Sequence, residues 1–151
     1  MSKLRDLRQA IADSLVTAGI WQADAILIER QSDFWNDVAT AMSAAKHGSI
    51  LVIGVARGDA TEEDELENDL TIPITILAQA ACAPDQTPEE DLWEDTVRHL
   101  HGRILDYPGG GTHCSQRLRY QGFTDAPELV DGAFEVAQLA RQTLFKIRLS
   151  L

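Results

Sequence analysis

The stretch "LTIPITILAQ", residues 70–79, decides the fold class. Its apolar side chains recur at every second position and face one side: Leu70, Ile72, Ile74, Ile76 and Ala78. The intervening residues face the other side: Thr71, Pro73, Thr75 and Gln79. Strict alternation of this kind is typical of a β-strand with one buried face. Because proline has no N–H to donate, Pro73 predicts an edge position or a bulge at that point.

Further strands are predicted on both sides of this stretch. Upstream, "SILVIGVA" (49–56) is apolar on both faces, which predicts a strand near the middle of a sheet, and "AILIER" (25–30) is a shorter strand. Downstream, we expect strands at 113–121 and 141–150. In the last strand the inward residues are Thr143, Phe145, Ile147, Leu149 and Leu151, and the outward residues are Lys146, Arg148 and Ser150.

Three helices are predicted from apolar stripes and end signals. In the first, Ser2 is the N-cap, Leu4, Leu7, Ile11 and Leu15 share a face, and Gly19 ends it. In the second, Ser32 is the N-cap, Phe34, Val38, Ala41 and Ala45 share a face, and Gly48 ends it. In the third, Thr87 is the N-cap, Pro88 the first helical residue, Glu90 completes a capping box, and Trp93, Val97, Leu100 and Ile104 face the core.

The resulting element order favours an α+β domain. Long hairpins with few crossovers predict a single mostly antiparallel or mixed sheet of about four to five strands, with about three helices packed on it. No internal repeat or linker divides the chain, so residues 1–151 are predicted to form one domain.

Acidic residues dominate the middle of the chain. The net charge is −11, and no Lys or Arg occurs between Arg57 and Arg98. The segment "GDATEEDELEND" (58–69) is too acidic to pack and is predicted to be a protruding loop or hairpin tip. Such a surface repels phosphate, which disfavours tight nucleic-acid binding through it. It suits solvated loops, a basic protein partner, or a wall along which DNA passes without being held.

The N-terminus and the absence of a long apolar run predict a cytosolic protein, at least where it is made. The N-terminus lacks the apolar core of a signal peptide, and no run approaches the ~18 apolar residues of a membrane span. We therefore expect Cys82 and Cys114 to be free thiols rather than a disulfide.

No catalytic, cofactor-binding or metal site is predicted. Gly109–Gly111 follow a predicted helix and carry no Gly-Lys-Ser/Thr ending, so they do not match a phosphate loop. His99 and His101 lie roughly 200° apart around a helix, which prevents joint binding of one ion. In a strand, His113 and Cys114 point to opposite faces. The sequence therefore predicts a protein that is not an enzyme and needs no cofactor.

The order of these elements and the character of their sequences resemble those of a known protein family. An amphipathic N-terminal helix leads to strands around an acidic tip and the strand "DLTIPITILAQ". A loop and the helix "TPEEDLWEDTVRHLHGRIL" follow, and the chain closes on "ARQTLFKIRLSL". This resembles the tail terminator, or tail completion, proteins of bacteriophages and prophages, over most of the chain.

The resemblance implies a structural protein of the virion. Such subunits form a ring, commonly a hexamer, that ends tail-tube polymerisation and provides the head–tail joining surface. The implied partners are copies of the same chain, the tail tube protein and a head-completion or connector protein, with DNA only passing through the channel and no membrane involved. The implied locations are the cytoplasm of the bacterial host during assembly and the neck end of the virion tail.

Charge suggests which residues join the subunits. A ring interface needs two different complementary patches. The candidate interface residues are Asp59, Glu62, Glu63, Asp64 and Glu65 on the acidic segment and Arg117, Arg119, Lys146 and Arg148 on the last strands. An alternative of another class is an acidic immunity or inhibitor protein that binds a basic protein partner by charge steering.

Overall fold

The computed structural model describes residues 2–29, 34–44, 48–60, 66–79, 88–107, 117–125 and 139–150. The helices are α1 (Lys3–Thr17), α2 (Phe34–Ala44) and α3 (Glu89–Leu100). The strands are β1 (Ile26–Ile28), β2 (Ser49–Ile53), β3 (Arg57–Ala60), β4 (Glu67–Ala78), β5 (Arg119–Asp125) and β6 (Leu139–Ser150). A single 3-10 turn, Ala23–Ala25, leads into β1.

The strands form one mixed sheet in the order β1-β2-β4-β6-β5, and β3 pairs with β4 beyond the end of β2. Only β1 and β2 run parallel among these pairs, and the others are antiparallel. The predicted α+β class is confirmed, with six strands where about four to five were expected. None of the described helices is both long and apolar enough to cross a membrane.

The inner face of the sheet, defined as the face under α1 and α3, holds the larger core. The buried strand residues include Leu51, Ile53, Leu70, Ile72, Ile74, Ile76, Phe145, Ile147 and Leu149. Leu7, Ile11 and Leu15 of α1 pack on them and are fully buried, as predicted. Leu4 was predicted on the same stripe but is 36% exposed, because it lies at the start of the helix.

The outer face, on the opposite side, is covered at one end by α2. Val38, Ala41 and Met42 pack on a patch formed by Ile50, Val52, Leu77 and Ala140. This patch spans β2, the last residues of β4 and the first residues of β6. No described helix covers the other end of the outer face, where β3, β4, β5 and β6 lie side by side.

The ends of α1 agree with the predicted signals, whereas the residues that flank α2, 30–33 and 45–47, lie outside the described part. The Ser2 hydroxyl accepts a hydrogen bond from the Arg5 N–H at 3.3 Å. Gly19 and Gly48 have φ of 75° and 67°, in the left-handed region that favours glycine. Ser32 and Ala45 lie outside the described residues.

The start and the buried face of α3 differ from the prediction. The helix begins at Glu89, with Pro88 in the N-cap position and no side-chain cap, and Thr87 lies outside the described residues. The most buried residues are Leu92, Thr96 and Leu100. Trp93 and Val97 are only partly buried, and Ile104 lies beyond the helix with 38% exposure.

Pro73 is not on an edge strand, because β4 lies between β2 and β6. Its carbonyl accepts from the Gly54 N–H at 2.8 Å, so its ring nitrogen also faces the β2 side. There the register moves by one residue between the Ile53–Ile74 and Arg57–Thr71 pairs. The predicted edge position is wrong. The predicted bulge is confirmed by this register change, and its extra residue lies on the segment that joins β2 to β3.

The acidic segment contributes residues to two strands, β3 and β4. Residues 57–60 form β3 and pair with Asn68–Thr71 of β4, which contradicts a loop that begins at residue 58. Residues 61–65 lie outside the described part. The strand expected at 113–121 is found as Arg119–Asp125, with a bulge between Tyr120 and Phe123. β2 ends at Ile53 rather than 56, and β6 matches its prediction closely.

Candidate interaction surface

Three cations lie in one register row of the outer face, at the end that no described helix covers. Arg57 pairs in register with Thr71, Thr71 with Lys146, and Lys146 with Arg119, across four adjacent strands. We name Arg57, Lys146 and Arg119 the basic row. All three are exposed, and none forms an ion pair with another described residue. The register therefore adds Arg57 to the cations that sequence reasoning had selected.

The basic row places two like charges directly opposite each other. Lys146 and Arg119 are directly opposite each other on neighbouring strands. Like charges in this position destabilise a sheet, whereas opposite charges stabilise it. Thr71, between Lys146 and Arg57, carries no charge that would offset the repulsion. An acidic partner would relieve this cost.

The neighbouring rows carry the opposite sign. Arg148 Nε lies 3.1 Å from Asp69 Oδ1 and 3.9 Å from Glu67 Oε1. Arg148, one of the predicted interface cations, is therefore held by carboxylates of its own subunit. The Asp59 backbone pairs with Asp69 in the β3–β4 hairpin. Of the other predicted acidic residues, Glu62, Glu63, Asp64 and Glu65 lie outside the described residues.

Arg117 belongs to a second basic surface near the end of α3. It bridges to Ile104 and lines an open depression together with Arg98 and Arg103. Arg98 is also 3.5 Å from Glu94 one turn earlier in the helix. The structure thus places Arg119 with Lys146, and Arg117 with Arg98 and Arg103 at the end of α3.

The histidines do not form a metal site in the described structure. His101 Nδ1 accepts the Tyr120 N–H at 3.1 Å, while His99 Nε2 lies 2.6 Å from Ser14 Oγ. No three His, Cys, Asp or Glu side chains among the described residues are placed to hold a metal ion. His113 and Cys114 lie outside the described residues.

The Ser14–His99 contact resembles a nucleophile–base pair, and sequence reasoning missed it because the residues are 85 positions apart. Arg103 Nη2 lies 3.3 Å from His99 Nδ1. Since a guanidinium only donates, Nδ1 accepts and Nε2 holds the proton that it donates to Ser14. Burial, followed by Arg103, lowers the pKa of His99. In this arrangement the imidazole cannot accept the serine proton, so the contact joins α1 to α3.

A cluster at the start of α3 was also missed by sequence reasoning. The Arg141 guanidinium lies 5.1 Å from the Trp93 ring centroid and 5.0 Å from that of Phe123. Arg141 Nε lies 3.2 Å from Glu89 Oε1 and forms an ion pair with it. The two groups are not aligned for a hydrogen bond, so this buried oxygen has no hydrogen-bond partner among the described residues. Trp93 Nε1 donates to Thr143 Oγ1 at 2.9 Å. The cluster fastens the helix to β5 and β6.

No family model and no curated protein matches the chain. A function therefore has to be inferred from its own surfaces and from the order of its elements. The cations of the basic row form no ion pair with a described residue, which is also true of Arg103 and Arg117. What distinguishes the basic row is that its three cations lie in register on one face of the sheet. It is the candidate site for a partner.

Proposed function

We propose that this chain is a structural subunit that assembles with its own copies into a ring. The ring ends polymerisation of a phage tail tube and gives the head its joining surface. The tail role comes from the resemblance in element order. The observation that carries the self-assembly is the basic row Arg57, Lys146 and Arg119, which lies beside an acidic hairpin on the same face.

The two charged features suit a head-to-tail interface. A heterologous contact that closes into a ring uses a different patch on each side of every subunit. The basic row forms one patch, and the β3–β4 hairpin, with acidic residues through positions 59–69, forms the other. Carboxylates from a neighbouring copy offset the repulsion between Lys146 and Arg119.

Apolar contacts must supply most of the affinity, because exposed ion pairs contribute about 0–1 kcal/mol each. The outer face offers such contacts next to the basic row. Pro73 and Leu144 are opposite each other there, and both are half-buried. Leu66, on the hairpin, is 59% exposed. We place Leu66 of one copy against Pro73 and Leu144 of the next.

The acidic hairpins also suit passage of DNA. Protein affinity for DNA depends on Lys and Arg that neutralise phosphates. A channel lined by segments such as 59–69, which contain no Lys or Arg, repels the DNA backbone and does not hold it. The ring thus lets DNA move through without acting as a binding site.

A charge-exchange experiment tests the interface. One variant carries Arg119→Glu with Lys146→Glu, and a second carries Glu63→Lys with Glu65→Lys. Each alone has patches of like sign and should remain monomeric. Mixed in equal amounts, they should assemble with the two variants alternating, because both interfaces then join opposite charges. Size-exclusion chromatography with light scattering at low salt measures the outcome.

A matched control carries Arg5→Glu with Arg98→Glu, which changes the net charge equally on two exposed helix positions. It should assemble as the unmodified chain does. Normal assembly of the Arg119→Glu, Lys146→Glu variant alone would refute the interface. An unmodified chain that stays monomeric and binds a basic nuclease or toxin would instead favour the immunity or inhibitor alternative.

The tail role has a separate test. Tail tube protein produced with this chain should form tubes that carry a ring at one end, as seen by negative-stain electron microscopy. Tubes with bare ends and unrestricted growth in the presence of the chain would contradict the terminator role, even if the ring itself forms.

A further inference from the structure

The two lateral edges of the sheet differ in how they are protected. At the β5 edge, the Tyr120 N–H donates a hydrogen bond to His101 Nδ1, and Arg117, just before the strand, forms a β-bridge with Ile104. The start of β5 is therefore covered. A bulge then interrupts the strand between Tyr120 and Phe123. Bulges and covering segments are common ways to prevent an edge from pairing with another chain.

The β1 edge has backbone groups that no described residue pairs with. The Glu29 N–H donates to Ile53 at 2.9 Å, and residues that bond to one neighbour alternate along a strand. Ile26 and Ile28 therefore direct their backbone groups away from β2. The Ile26 N–H closes the preceding turn on Ala23. Within the described residues, the Ile26 carbonyl and both groups of Ile28 have no hydrogen-bond partner.

This edge lies at the bottom of a trough between α1 and α2. The trough has a volume of about 370 Å³, and its apolar lining includes Ala12, Val16 and Ile26–Ile28. Val16 is 37% exposed, so apolar surface is available beside the strand. A further strand would lie about 4.8 Å from β1, inside the trough.

The walls of the trough are acidic. Asp13 lies on the α1 side and Asp37 on the α2 side, and no Lys or Arg is among the described residues that line it. An extended chain in the trough would pass between two carboxylates. Because successive side chains of a strand point to opposite faces, the basic side chains of an alternating segment would all approach one wall, which carries Asp13 or Asp37 according to the register, and acidic ones would be repelled there.

We propose that the β1 edge binds an extended peptide segment of another protein, with alternating apolar and basic residues, as an added strand. Main-chain hydrogen bonds to Ile26 and Ile28 supply affinity, and Asp13 or Asp37, according to the register, selects basic side chains. This site lies on the opposite edge of the sheet from β5, and it does not depend on the ring proposed above.

The probe is a synthetic heptapeptide, Thr-Lys-Val-Arg-Val-Lys-Thr, titrated into ¹⁵N-labelled protein. We expect saturable shifts centred on Ile26 and Ile28 and slower exchange of the Ile28 N–H by tenfold or more. An acidic counterpart with Glu and Asp at the charged positions should not bind. A basic peptide N-methylated at alternate amides, which cannot complete the ladder, should bind at least tenfold more weakly.

Paired variants separate charge selection from general acidity. Asp13→Asn with Asp37→Asn should weaken binding about threefold or more, whereas Asp91→Asn with Asp95→Asn, on exposed positions of α3, should not. Equal binding of the N-methylated peptide, shifts centred on β5, pairing of two copies through β1, or no saturable binding would overturn the proposal. The charge-exchange experiment tests the ring interface and the peptide titration tests the β1 edge. Failure of one proposal therefore does not imply failure of the other.

Discussion

Lys146 and Arg119 face each other across neighbouring strands without a described counter-charge. Arg119→Thr should therefore raise the free energy of unfolding of the monomeric chain by about 0.2–1 kcal/mol. The gain should shrink with added salt, which screens exposed charges. Urea unfolding at low and high ionic strength, at concentrations where the chain is monomeric, measures it.

Arg148 provides the matched control on the same face. Because it is paired with Asp69 and Glu67, Arg148→Thr should lower the free energy of unfolding rather than raise it. A loss of stability in Arg119→Thr as well would show that Arg119 has a stabilising partner within the subunit and that the basic row does not need another copy.

Glu89 gives a prediction about pH. Burial raises the pKa of Glu89 above 4.5 and outweighs the opposing attraction of Arg141. The folded state therefore favours the protonated form. The stabilising contribution of Glu89 is fully present below pH 4.5 and is lost as the pH rises through the higher folded value.

Glu89→Gln removes this titration. The stability of the variant minus that of the unmodified chain should increase as the pH rises from 4.5 towards neutrality. Urea unfolding at a series of pH values provides the comparison. A difference that stays constant or falls over this range would show that the Arg141 ion pair outweighs the cost of burial.

At the scale of elements, Gly54 and Pro73 are in contact at the bulge between β2 and β3. A Cβ at position 54 would lie 2.7 Å from Pro73 Cγ and 3.1 Å from the Pro73 carbonyl oxygen. Gly54→Ala should therefore destabilise the chain by about 1–3 kcal/mol. Thermal or urea unfolding measures the loss.

A double-mutant cycle identifies the cause of that loss. In a Pro73→Ala background the contact with Cγ disappears, so Gly54→Ala should cost less there than in the unmodified chain. Equal costs in both backgrounds would place the strain elsewhere and would contradict the contact with the proline ring.

Much of the fold was predictable because burial follows sequence period. The alternation in β4 and β6 identified the inner face, as Ile72 and Phe145 illustrate. The centre of α3 was misjudged because Thr96 is polar. Its hydroxyl can be buried because it accepts a hydrogen bond from Trp21 Nε1 at 2.8 Å and donates one to the Leu92 carbonyl. Trp21 is 75 residues away in the sequence, so this contact could not be read from the local pattern.

The site was only partly predictable because it depends on register. Composition and alternation selected Arg119 and Lys146 as outward cations, but strand pairing was needed to place them opposite each other and to add Arg57. The same pairing assigned Arg148 to its own subunit. The part of the acidic segment that forms β3 was predicted to be a loop because its acidic sequence gives no strand signal, and its strand character appears only in its pairing with β4.

At the scale of the whole molecule, none of the described helices covers one end of the outer face, and that end carries both signs of charge. Its basic row lies beside the hairpin whose acidic residues complement it. The chain is predominantly acidic, with a net charge of −11, which disfavours non-specific association. The proposed assembly would therefore require its few cations to align with acidic groups of another copy. This arrangement suits a subunit that works by presenting surfaces to other proteins.

The most direct test of this account is the native mass of the purified, unmodified chain as a function of protein concentration and salt. The account predicts a closed assembly at low salt, six copies of a 16.6 kDa chain or about 100 kDa, which needs a higher protein concentration to form as salt is raised. A mass that remains at 16.6 kDa at every concentration and at low salt would contradict it.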